Sequence, residues 1–99
     1  MKGSFKNIIN CEKPVLVDFH AEWCGPCKAQ GSIINEVAKE TGSKVRIIKI
    51  DIDKNPKLSQ QYQIRSVPTI VLFKDGKLLW KQSGVHSKQQ LHNIINQYS

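Results

Sequence analysis

Val15-Leu16-Val17-Asp18-Phe19-His20-Ala21-Glu22-Trp23-Cys24-Gly25-Pro26-Cys27 is the stretch of this 99-residue chain whose reading decides its fold. Its first six residues, Val15 to His20, read as a strand apolar on both faces, as a central parallel strand covered from each side must be. Asp18 is the anomaly. Alternation puts it on the face of Leu16 and His20, in the middle of a covered strand. The strand runs into two cysteines three positions apart. A helix is expected from about Pro26 to Thr41, with Ala29, Ile33, Ile34, Val37 and Ala38 at helical spacing. Gly42 is its natural stop.

Two cysteines at this spacing can close a small disulfide ring across one helical turn. Cys24 sits at the helix start, where unpaired amides and the helix dipole stabilise a thiolate and make it the nucleophile. Cys27, one turn in and expected to be the more shielded, is placed to attack a mixed disulfide and release the reduced product. Gly25 allows close approach. Pro26 lacks an amide proton where that donor would be unpaired anyway. The pair could instead be half of a zinc site, or two buried thiols. Zinc takes about four ligands, usually in two clusters. Cys11, His20, His86 and His92 make no second pair of that kind, so no metal and no cofactor is expected. Buried thiols need neither the Gly-Pro spacing nor a neighbouring Trp.

Outward from this stretch, Ser4 can cap a short helix with Phe5, Ile8 and Ile9 on one face, ended by Pro14. Cys11 falls late in that helix, as an incidental thiol. Lys44 to Ile52 reads as a second strand, parallel to the first through a right-handed crossover. Asn55 caps another short helix with Pro56 in its first turn. Thr69 to Lys74 is a third strand, Asp75-Gly76 a hairpin turn, and Lys77 to Gln82 its antiparallel partner. Ser87 and Gln90 form a capping box on a last helix that buries Leu91, Ile94, Ile95 and Tyr98. The expected fold is α/β: one domain over residues 1–99, with a four-stranded mixed sheet between helices. Lys44 to Ile52 would be an edge strand, and Lys44, Arg46 and Lys49 would discourage pairing between copies. A monomer is the expected state.

Composition excludes several classes. No apolar run approaches the ~18 residues of a membrane span. No signal-like segment follows Met1, so the expected place is the cytoplasm. Three cysteines, an odd number, argue against a structural disulfide framework in such a compartment. The net charge of +7 is scattered and has no aromatic interleaving, which points to solvated surface rather than nucleic-acid binding.

The chain resembles the thioredoxin family along nearly its whole length. Val15 to Phe19, Ala21 to Lys28, Asp51-Ile52-Asp53 with Asn55-Pro56, Arg65 to Thr69, Phe73 to Gly76, and Gly84 fall in family order. The resemblance implies that Cys24 attacks and Cys27 resolves. From its own residues, Val67-Pro68-Thr69 is compatible with a cis bond or an ordinary trans turn; the resemblance implies cis. It also implies that Trp23, Val67, Pro68 and Gly84 form a groove for extended polypeptide; Trp80, by contrast, reads as a core residue. The Gly-Pro dipeptide is similar to that of the reducing branch. That implies a protein-disulfide reductase recharged by a thioredoxin reductase, with disulfide-bearing proteins as substrates. A non-catalytic binding or assembly module using the same surface is the alternative.

Three features depart from the family pattern. His20 stands where an aromatic is common. Ser32, after Gly31, replaces a kinking proline, although a Gly/Ser pair can itself bend a helix. Only fourteen residues precede Val15, so the family's first strand is expected to be missing. Burial of Asp18 should disfavour its charge, and a carboxylate so tuned can accept the Cys27 proton through a water. Lys49 resembles the family's lysine that lies close to this acid.

Overall fold

The computed structural model describes residues 4–99. The elements run α1 (Phe5–Ile9), β1 (Val15–His20), α2 (Gly25–Thr41), β2 (Arg46–Asp51), α3 (Pro56–Gln61), β3 (Thr69–Lys74), β4 (Lys77–Ser83) and α4 (Lys88–Gln97). The sheet order is β2-β1-β3-β4. β1 pairs parallel with β2, Leu16 beside Ile47 and Asp18 beside Lys49. It pairs antiparallel with β3, which pairs antiparallel with β4. Among the described residues, β2 and β4 are both open edges. Among the described residues there is no fifth strand, and Ser4 already caps α1 through Lys6 N. The part of that expectation falling on residues 1–3 lies outside the described residues.

The two faces of the sheet bury different sets. Val15, Val17, Phe19, Val71 and Phe73 pack with Phe5 and Ile9 of α1, and Leu58 and Tyr62 cover them further. Leu16, Ile70 and Leu72 pack with Ile34 and Val37 of α2 and with Leu91 and Ile95 of α4. Trp80 is only half-buried against this second set. Glu40 links α2 to α4 at the surface, through Lys88 at 3.0 Å and His92 at 2.7 Å.

Several expected boundaries move. Lys44 lies in a 3-10 turn over Gly42–Lys44, so of the expected edge charges only Arg46 and Lys49 stand on β2. The turn opens at Gly42, the C-cap of α2, whose φ of +56° few residues but glycine tolerate. α1 ends at Asn10 rather than at Pro14, which leaves Cys11 beyond the helix. Cys11 and its neighbours bond to the hairpin turn instead: Gly76 N donates to Ile9 O at 3.1 Å and Asp75 N to Cys11 O at 2.9 Å. Asn55 begins α3 without a side-chain cap, because its amide donates to Asp51 O at 3.0 Å. The buried line of α2 is Cys27, Gln30, Ile34, Val37 and Thr41, and Ala29 and Ala38 are exposed.

Candidate active site

β1 and α2 meet at Cys24. Its backbone is extended (φ −91°, ψ 110°) and it is the N-cap of α2. Cys24 Sγ accepts the Cys27 amide at 3.2 Å, the hydrogen bond that a thiolate at a helix start would receive. Pro26 lies in the first turn. The two sulfurs form a disulfide, with Cα atoms 5.3 Å apart. Cys27 is not the more shielded residue: relative exposures are 4% for Cys24 and 6% for Cys27. What separates them is position, since only Cys24 caps the helix. Both pack with Ala21, Ile52 and Val67.

Opposite the disulfide, the Val67–Pro68 bond is cis. The Val67 carbonyl oxygen lies 3.6 Å from Cys24 Sγ. Pro68 O accepts the Gly84 amide at 2.9 Å, which brings the end of β4 beside the cysteines. Gly84 has φ +94°, a conformation that disfavours any side chain. Trp23 is 70% exposed, and its Nε1 donates to Asp53 Oδ2 at 2.8 Å.

On the other side of α2 a cleft of about 400 Å³ is lined by Asp18, His20, Glu22, Cys27, Lys28 and Lys49. Asp18 is 1% exposed. Among the described residues neither of its oxygens has a hydrogen-bond partner. Loss of hydration raises its pKa to about 6, opposed by His20 and then by Lys49. Lys49 does not ion-pair with Asp18, although the two face each other across β1 and β2. Its ammonium donates to Asn35 Oδ1 at 2.8 Å and to Gly31 O at 3.4 Å, so its charge reaches Asp18 only through space. Ser32 bonds back to Lys28 O at 3.4 Å within a helix continuous from Gly25 to Thr41. The described residues hold no group of three or more His, Cys, Asp or Glu side chains placed for a metal ion. They also hold no helix long and apolar enough to cross a membrane.

A family model for thioredoxin matches residues 1–97 of this chain. The chain belongs to the thioredoxin family. It is 48% identical over 95 residues to a thioredoxin of Rickettsia prowazekii, covering 95% of this chain and 90% of that protein. It is 49% identical over 90 residues to a thioredoxin of Acidithiobacillus ferridurans, covering 91% and 83%. A crystal structure of oxidised mitochondrial thioredoxin 3 from Saccharomyces cerevisiae matches with TM-score 0.85 at 32% identity, covering 94% of this chain and 86% of that one. With its Cys24–Cys27 pair, this thioredoxin-family chain is a thiol–disulfide oxidoreductase.

Three contacts of this thioredoxin site escaped the sequence reading. Asp53 as the partner of Trp23 is a pairing thirty positions apart that carries no local signal. Asn35 as the holder of Lys49 lies fourteen positions away, also beyond any local signal. Gln30 did leave a signal. It lies three residues after Cys27 and four before Ile34, on the buried line of α2, where a polar residue demands a partner. It finds one in the backbone of His86.

Proposed function

We propose that this thioredoxin-family protein reduces disulfides in protein substrates and is itself recharged by a thioredoxin reductase. The observation that carries this reading is Cys24 capping α2, its sulfur bonded by the Cys27 amide and facing the Val67 carbonyl. In the dithiol form, the Cys24 thiolate attacks one substrate sulfur and expels the other as a thiolate. Cys27 gives up its proton and attacks Cys24 Sγ. The substrate leaves with two electrons more, and the Cys24–Cys27 disulfide remains. Two electrons from the reductase restore the dithiol.

In this reading Asp18 accepts the Cys27 proton. It lines the same cleft as Cys27, its oxygens are unspent, and its pKa of about 6 suits transfer near neutrality. In this reading the transfer runs through a water held in the cleft. Lys49, tethered by Asn35, favours the ionised carboxylate without engaging it. Trp23, Val67, Pro68 and Gly84 offer an extended substrate backbone a groove beside Cys24, while Gly25 and Pro26 shape the helix start.

Insulin reduction driven by dithiothreitol tests the reading. Cys24→Ser should abolish it, and pre-reduced Cys27→Ser mixed with insulin after removal of the dithiothreitol should accumulate a mixed disulfide with the insulin chain, visible by mass spectrometry. Catalysis undiminished in Cys24→Ser would sink the assignment. An unmodified chain that binds insulin without reducing it would leave a binding module.

A further inference from the structure

A ring of contacts closes around the disulfide. Cys24 Sγ meets Val67 O, the next residue Pro68 accepts the Gly84 amide, and two residues later His86 returns to α2. The return is made by Gln30. Its Nε2 donates to His86 O at 3.1 Å, and its Oε1 accepts His86 N at 2.6 Å. Gln30 is fully buried at 0% exposure, while Val85, between the two anchored residues, is 46% exposed. Both bonds go to backbone, so they hold the segment Gly84–His86 by its main chain whatever side chains it carries. Removal of either would leave a buried amide or carbonyl without a partner, and the segment would shift to hydrate it.

We propose that Gln30 is a positioning residue that clamps the Gly84–His86 segment to the active-site helix and thereby sets affinity for polypeptide substrates. The inference rests on the reductase reading and extends it. Both hydrogen bonds of the Gln30 side chain go to His86 and neither goes to a sulfur, so the chemistry at Cys24 does not need it. A substrate backbone lying across Pro68 and Gly84 does, because a wall left loose must be ordered when the chain binds, which weakens its hold on that chain. A small disulfide that needs no groove should be indifferent.

The test separates binding from chemistry. Gln30→Leu, or Gln30→Met if the leucine variant does not fold, should raise KM for insulin at least about fivefold, the equilibrium effect of one of its two hydrogen bonds to His86. kcat should hold, and so should the rate at which the pre-reduced protein reduces dithiobis(nitrobenzoate). Ile95→Val, a core truncation on α4, should lower the melting temperature and leave KM unchanged. An unchanged KM in the Gln30 variants overturns the proposal, and so does an equal rise in Ile95→Val. In the unmodified chain the His86 amide should exchange with deuterium as slowly as β3 amides. Exchange at the rate of exposed amides would also overturn it. If the unmodified chain reduces neither substrate, the reductase reading itself falls, a result distinct from all of these.

Discussion

The two faces of β1 share a backbone and little else. Val15, Val17 and Phe19 point into an aromatic nest in which Phe5, Tyr62 and Phe73 meet edge to face, with centroids 5.2 to 5.6 Å apart. On the opposite face Leu16 is as deeply buried, but two residues on Asp18 brings a carboxyl with no partner, and His20 reaches the cleft mouth. β2 repeats the change in register, apolar at Ile47 and cationic at Lys49. One face spends its burial on packing. The other gives up packing at its end to hold a costly ionisable group beside a cysteine. Stability and reactivity are divided between faces of one strand, not between domains.

The sharpest way to break this contrast is to hollow the packed face. Phe73→Ala should cost about 3–5 kcal/mol, read as a fall in the urea midpoint, because it removes a ring from the nest and leaves a cavity. A loss under about 1 kcal/mol would mean that the nest is not the stabilising face. Next is Asp18→Asn, which should stabilise. The folded pKa of Asp18 lies above its ordinary value of 3.8, near 6. Its protonated form therefore costs little below pH ~4, and stability declines as pH rises from there through 6. The gain in Asp18→Asn should approach about 3 kcal/mol above pH 7 and vanish near pH 4, in urea titrations across that range. A gain independent of pH would remove the buried charge from the account. The smallest effect is expected of Cys11→Ala. Cys11 only fringes the packed face, half-buried, so stability should change by no more than about 1 kcal/mol and insulin reduction not at all.

Much of this division is written locally. The apolar run of β1, the cysteine spacing, the Asp75-Gly76 turn and the Ser87–Gln90 box each depend on neighbours within a few residues. They appear in the structure where the sequence places them. What was illegible depends on partners far along the chain. Lys49 looks like an ion-pair partner for Asp18 until Asn35 is seen to hold its ammonium. Asn55 looks like a cap until Asp51 O takes its amide. Ala29 and Ala38 fit the helical period and are nonetheless exposed, because α2 meets the sheet along a narrower line that admits Gln30 and Thr41. Both of those polar groups find backbone acceptors, Thr41 Oγ1 donating to Val37 O at 2.8 Å. Apolar period locates a helix face to within about one residue to either side. The choice at its margin falls to hydrogen bonding, which the period does not encode.

The open edges of β2 and β4 have a consequence for colloidal behaviour. Among the described residues no strand pairs with the outer side of either, and a second copy could extend each into a larger sheet. At neutral pH the +7 charge keeps copies apart before any edge can find another. That repulsion fades toward the isoelectric point near pH 9.5 and is screened by salt, whose Debye length is about 10 Å at 0.1 M. Concentrated solutions should therefore cloud most readily in alkaline, salted buffer, and mildly acidic, dilute buffer should keep them clear.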